Sequence, residues 1–291
     1  MIGRPLVEAI ALMIRQEYAL PLPKVRPGAI TTAEFAEIRK EFTASNTFDS
    51  ANLRGQMYRR AFQEGSAPYK VYQSAHGKII AVLDSEEQEA EIPWEMWWRL
   101  LRMFYRDKPY TIIFLAHKSL RQAPAPHHPI KPIHINGGYT YPCRASFVCI
   151  YRAEDATRVL IHELFHASCS DHKDDELDKM EAKTEAWAEL VYAVVLAHGS
   201  VADSIINIQR QSDWMHIKNS AIRTQHMRHN GEDMHEFPWR YTIGKEDVWR
   251  AWGIYSPTTR RYSWNGSLRL TPLPSAIQKQ GEDVVQWSTI L

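Results

Sequence analysis

At 291 residues, with hydrophobic and charged side chains at 44% and 24%, the chain has the make-up of an ordinary globular protein and the length for one large domain or two small ones. Its 35 basic and 34 acidic residues are interspersed and leave a net charge of +1, so no field marks nucleic acid or an anionic membrane as a partner. No stretch approaches the roughly eighteen uninterrupted apolar residues of a bilayer span.

Residues 4–20 carry helical periodicity, and Glu8 interrupts the apolar run that a signal peptide would need. A second helix is predicted over 32–43, opened by Thr31 and Thr32 with Glu34 as a capping signal. "YKVYQSAHGKIIAVLD", residues 69–84, reads as two short strands around a turn at His76-Gly77. Pro93 then opens an apolar helix, "PWEMWWRLLRMFYRD". "YTIIFLAH", residues 110–117, is a buried strand, and a proline-rich loop carrying His127 and His128 follows it.

Two further strands are predicted over 132–142 and 145–152, then helices over 154–168, 174–198 and 202–229, with one more at 245–252. Glu154 and Asp155 are expected in the first turn of the 154–168 helix, where they complement its dipole. Gly199 is expected to close the helix before it as a C-cap. A small mixed sheet followed by helices gives an α+β fold. Three regions are expected: an N-terminal helical segment (1–66), a central domain (67–256), and a C-terminal tail (257–291) that wraps the core or occupies a cleft. Cys143, Cys149 and Cys169 are an odd, sparse set without zinc-knuckle spacing, which predicts free thiols and an intracellular protein.

"IHELFHASCSDH", residues 161–172, contains His-Glu-x-x-His inside the 154–168 helix. Positions i and i+4 share a helix face, so His162 and His166 can turn ring nitrogens toward one zinc ion. Glu163, one step round, can serve a metal-activated water as general base. The bland alternative is a core helix with two satisfied histidines.

The third ligand has two candidates. His172 completes a pattern that resembles the metzincin signature, with Cys169 where that family has glycine at a positive-φ break. Glu185, in "KTEAWAEL" on the following helix, gives His-Glu-x-x-His-x18-Glu, which resembles the gluzincins, the thermolysin-like and aminopeptidase group of zinc peptidases. "TEAWAE" is also similar to the sequence around the ligand glutamate of zinc aminopeptidases. Ala182, Ala186 and Ala188 would let the two helices approach closely, and Glu181 and Glu189, one turn either side of Glu185, read as a solvated acidic face or, alternatively, as supporting partners.

The gluzincin resemblance covers residues 110–198. It implies a zincin-like core with one zinc held by His162, His166 and Glu185, Glu163 as general base, and a peptide or protein as substrate. It implies an edge strand for extended substrate, here "HINGGYTY" with Gly137 and Gly138, and a downstream group for the oxyanion. Tyr241 is the first candidate for that group, with His226, His229 and His235 beside it. His226 and His229, at i and i+3, could alternatively hold a second metal. A metzincin-like endopeptidase using His172, and a non-catalytic zinc scaffold closed by Cys169 or His172, are the rival readings.

Overall fold

The computed structural model describes residues 3–170, 176–225, 239–258 and 264–273. Six strands form one mixed sheet among them: β1 (Arg26–Pro27), β2 (Tyr69–Gln73), β3 (Gly77–Val82), β4 (Tyr110–Leu115), β5 (Gly138–Thr140) and β6 (Val148–Ile150), ordered β1-β2-β3-β4-β6-β5. The central β3, β4 and β6 run parallel, and the outer pairings are antiparallel. Parallel central strands need both faces covered, and the side chains alternate accordingly. Ile79, Ala81, Ile112, Phe114, Val148 and Ile150 enter one core, while Ile80, Val82, Ile113, Leu115 and Cys149 enter the other.

The first core is covered by α1 (Gly3–Ala19), α4 (Trp94–Phe104), α6 (Ala156–Ala167) and α7 (Leu177–Leu196), with α8 (Val201–Gln225) and α9 (Gly244–Ala251) behind them. The second is covered by α2 (Thr32–Thr43) and α3 (Leu53–Phe62). Thr31 and Glu34 form the expected capping box on α2. The expected boundary at residue 66 therefore meets no break in packing: α1 belongs to one core, α2 and α3 to the other. The tail also contributes, since Leu268, Leu270 and Leu273 are buried in the first core. No helix among the described residues is long and apolar enough to cross a membrane.

Three local expectations are corrected. The segment 132–142 is not one strand: Pro132 opens a helical turn, α5 (Pro132–Ile135), and only Gly138–Thr140 pairs with β6. Proline suits a helix first turn, where its missing N–H goes unused. Glu154 and Asp155 precede α6 rather than sitting in its first turn. Glu154 Oε2 accepts from the Arg121 backbone N–H at 2.8 Å, and Asp155 takes Arg269 Nε at 2.8 Å and the Leu270 N–H at 2.7 Å. These bonds pin residues 264–273 to the start of α6. Finally, Cys143 and Cys169 form a disulfide with Cα atoms 4.6 Å apart, leaving Cys149 as a buried thiol.

Edge strand β5 lies directly on α6 because it carries glycine there. A Cβ on Gly138 would meet Val159 Cγ1 at 2.5 Å, the Cys149 carbonyl oxygen at 2.9 Å and Glu163 Oε1 at 3.2 Å. The Gly138→Ala variant is expected to lose about 1–3 kcal/mol of stability, the usual cost of overpacking, read as a lower urea midpoint at unchanged slope.

Candidate metal centre

α6 and α7 pack antiparallel, so successive turns of one face successive turns of the other in reverse order. On α6 the inward positions are Arg158, His162 and His166; on α7 they are Glu189, Glu185 and Glu181. Arg158, 1% exposed at its side chain, donates from Nη1 to Glu185 Oε1 at 3.0 Å and pairs through Nη2 with Glu185 Oε2. Its Nη2 also lies 3.7 Å from Glu189 Oε1, and Glu189 is held in turn by Lys245 and by Gln211 Nε2 at 2.6 Å. With Arg158 and Glu185 so engaged, Glu181 meets the two histidines.

His162 Nε2 and His166 Nε2 are 2.9 Å apart, and Glu181 Oε2 lies 3.5 and 3.6 Å from them. These donors are the group of His, Cys, Asp and Glu side chains that converges closely enough for a metal among the described residues. The carboxylate that converges with the two imidazoles is Glu181, spaced His-Glu-x-x-His-x14-Glu, and not the expected Glu185. Glu185 Oε1 stands 3.1 Å from His162 Nδ1, on the opposite side of the ring from the convergence point. It stands beside the ring at ion-pair distance, and His162 Nδ1 makes no hydrogen bond there.

The donor set fits zinc. Nitrogens bound to one ion at about 2.0–2.1 Å lie on the order of 3.3 Å apart, close to the separations seen here. At 2.9 Å the two Nε2 atoms need a proton or a cation between them. Glu181 Oε2 is buried without a hydrogen bond and faces the same point, and leaving such an oxygen uncompensated is costly. Burial pushes the His162 imidazolium down to about 4, reinforced by His166 and opposed by Glu181. Burial raises the Glu181 carboxyl, but the two imidazoles outweigh it and hold the group well below the usual carboxylate range.

Around this point runs a cleft of about 250 Å³ that takes in Glu163, Gly137 to Thr140 of the edge strand, Arg240 and Tyr241. The Gly137 carbonyl accepts from the Tyr151 N–H at 2.8 Å, so residues 137 and 139 face β6. By ladder alternation, the main-chain groups of Gly138 and Thr140 point to the open edge. Tyr241 lies on a π-helical turn, Trp239–Ile243, which runs into α9. Burial pushes its phenol well above the ordinary range, with Glu181 adding and Arg240 opposing, so it stays protonated as a donor. Arg240 is fixed by Asp178, Nη2 to Oδ1 at 2.5 Å.

Of the expected residues, the structure brings together His162, Glu163, His166 and Tyr241, keeps Glu185 one step back, and adds Glu181. His172, His226, His229 and His235 lie outside the described residues. His127 and His128 are in the loop before α5 and belong to no convergent metal-binding group among the described residues. No family model, curated protein or solved structure matches the chain.

Two measurements follow from this geometry. Zinc titration against a competing chelator should show Glu181→Gln abolishing tight binding, while Glu185→Gln weakens it about 10–100-fold, as loss of a carboxylate beside a ligand does. A larger loss in Glu185→Gln than in Glu181→Gln would return the ligand role to Glu185. In the metal-free protein, His162 binds its proton less readily folded than unfolded, and so does Glu181. Stability should therefore fall as pH drops from about 6.5 through 4, checked by urea midpoints across that range.

Proposed function

We propose that the chain is a zinc-dependent metallopeptidase, built on the gluzincin plan with a shortened spacing to the ligand glutamate. The observation that carries this reading is the convergence of His162, His166 and Glu181 beside Glu163, in a cleft walled by an open strand edge. His162, His166 and Glu181 would hold the zinc, which when bound would supply a position for exchangeable, acidified water and Lewis-acid polarisation of a carbonyl.

The chain's own residues supply the rest. His162 and His166 present Nε2 from one helix face, and Glu185 stands beside the first of them. Glu163 accepts a proton from the attacking water at its carboxylate and returns it to the amine nitrogen that leaves. Gly138 and Thr140 offer outward N–H and C=O groups to an extended backbone, the strand-addition mode of peptide binding. Glycine at 138 lets that backbone come close to Glu163. Tyr241, kept protonated, donates its O–H to oxygen charge that develops in the cleft.

Glu163→Gln should lose peptide hydrolysis by three orders of magnitude or more while holding wild-type zinc. Tyr241→Phe should lower kcat about 10²–10³-fold with little change in KM. Both are read with a quenched-fluorescent peptide library and zinc analysis on the same preparations. Wild-type protein that carries zinc yet cleaves nothing in the library and binds no hydroxamate would count against the peptidase reading.

A further inference from the structure

On the side of the α6–α7 pair away from the metal donors is a second cavity, about 540 Å³, enclosed by α1, α4, α6 and α7. Leu6, Met13, Phe104, Phe165, Met180 and Trp187 form much of its apolar wall. The aromatic side is preorganised, with Phe104 edge-on to Phe165 at 4.9 Å and Phe165 6.5 Å from Trp187. The mouth lies along α1, where Leu12 and Met13 are 54% and 61% exposed.

One part of the lining is polar. Arg106 Nη2 donates to Ser170 Oγ at 3.3 Å, and Ser170 Oγ is 2.7 Å from Ser168 Oγ. Among the described residues, Arg106 and Lys183 are the charged members of the wall and no carboxylate lines it. An apolar chamber with cationic and hydroxyl groups suits a ligand with an alkyl chain and an anionic head.

We propose that this cavity binds a single-chain amphiphile with a carboxylate head, of the medium-chain fatty-acid class. Its volume lies in the range of small-molecule sites, about 300–1,000 Å³. A docked helix, about 10 Å across, would fill 540 Å³ in little more than one turn, too short for a helical partner. The walls are helices whose main-chain groups are internally bonded, so they offer no strand edge to an extended peptide. The alkyl chain covers apolar side chains that otherwise face water, and the head meets Arg106 and the Ser170 hydroxyl by charge-assisted hydrogen bonds, the Ser168 hydroxyl being donated to the Phe165 carbonyl at 3.1 Å. Only Met180 lines both this cavity and the metal cleft. The inference goes beyond the peptidase reading and stands apart from it.

The test is a fluorescence titration of the full-length protein with 11-(dansylamino)undecanoate, read by energy transfer from tryptophan. Saturable one-site binding is expected, displaced by dodecanoate below its micellar range and at least ten-fold less effectively by dodecyltrimethylammonium. Ala9→Trp, at an exposed α1 position on the cavity wall, should weaken binding at least ten-fold by filling the space. Arg106→Glu, also exposed, should do the same by opposing the head. Circular dichroism establishes that both variants are folded. Non-saturable binding, equal displacement by the cationic amphiphile, or affinity untouched by Ala9→Trp would overturn the proposal. So would binding seen only with phosphatidylglycerol vesicles and never with monomeric dodecanoate.

Discussion

The arrangement of the His162, His166 and Glu181 cluster depends on one buried guanidinium. Arg158 sits one helical turn before His162, on the same face of α6, and its side chain is 1% exposed. A guanidinium stays charged at any pH a protein meets, and a buried charge without a partner is strongly destabilising. Glu185 answers it with both carboxylate oxygens and its main-chain carbonyl, and Glu189 stands behind. Once Arg158 meets Glu185, antiparallel packing leaves the glutamate one turn nearer the start of α7 opposite the histidines. That residue is Glu181. The same contact places Glu185 beside the His162 ring, 3.1 Å from Nδ1.

Other charged contacts hold this helix pair in its surroundings. Glu189 ties α7 to α9 through Lys245 and to α8 through Gln211. Asp155, at the start of α6, binds Arg269 and the Leu270 N–H of the distant 264–273 segment. Arg240, paired with Asp178, positions the turn that carries Tyr241. On the other side, the Cys143 N–H donates to the His166 carbonyl at 2.9 Å, and the disulfide to Cys169 fastens the loop after β5 to the end of α6. The edge strand, Glu163 and the His162, His166 and Glu181 cluster are thereby held on rigid elements, which is what a site needing fixed geometry requires.

Much of this was legible in the sequence where the signal is local. The capping box at Thr31, the strand pair around Gly77, the 110–115 strand, the His-Glu-x-x-His helix and the alanine-lined helix after it all follow from period, caps and turn chemistry. What resisted was pairing between elements. Choosing between Glu181 and Glu185 needed the partner of Arg158, and a motif spacing weighs only the residues inside the motif. An arginine at i−4 from the first histidine was the available signal, because on that face it must find a carboxylate. The disulfide was hidden likewise: an odd count of three cysteines says nothing about which two the fold brings together. Residues 132–135 failed differently, since a short apolar run beside a proline fits a helical turn as well as a strand.

Cys169 joins the separate arguments. In the metzincin comparison its identity seemed to bar the left-handed backbone that glycine permits, yet Cys169 adopts φ +57° and bonds to Cys143, itself at φ +62°. A positive-φ break after α6 is therefore present without the glycine, and a cross-link holds it from outside the helix. The same bond bears on the scaffold reading. A structural zinc site is closed by a fourth protein ligand, commonly a thiolate, and a sulfur engaged in a disulfide cannot serve as one. Cys149 is buried in the other core, on the far side of the sheet. Among the described residues the cluster thus offers two imidazoles and one carboxylate. While His172, the other residue considered for the closing place, lies outside the described residues, the disulfide removes Cys169 as the closing ligand of the scaffold reading.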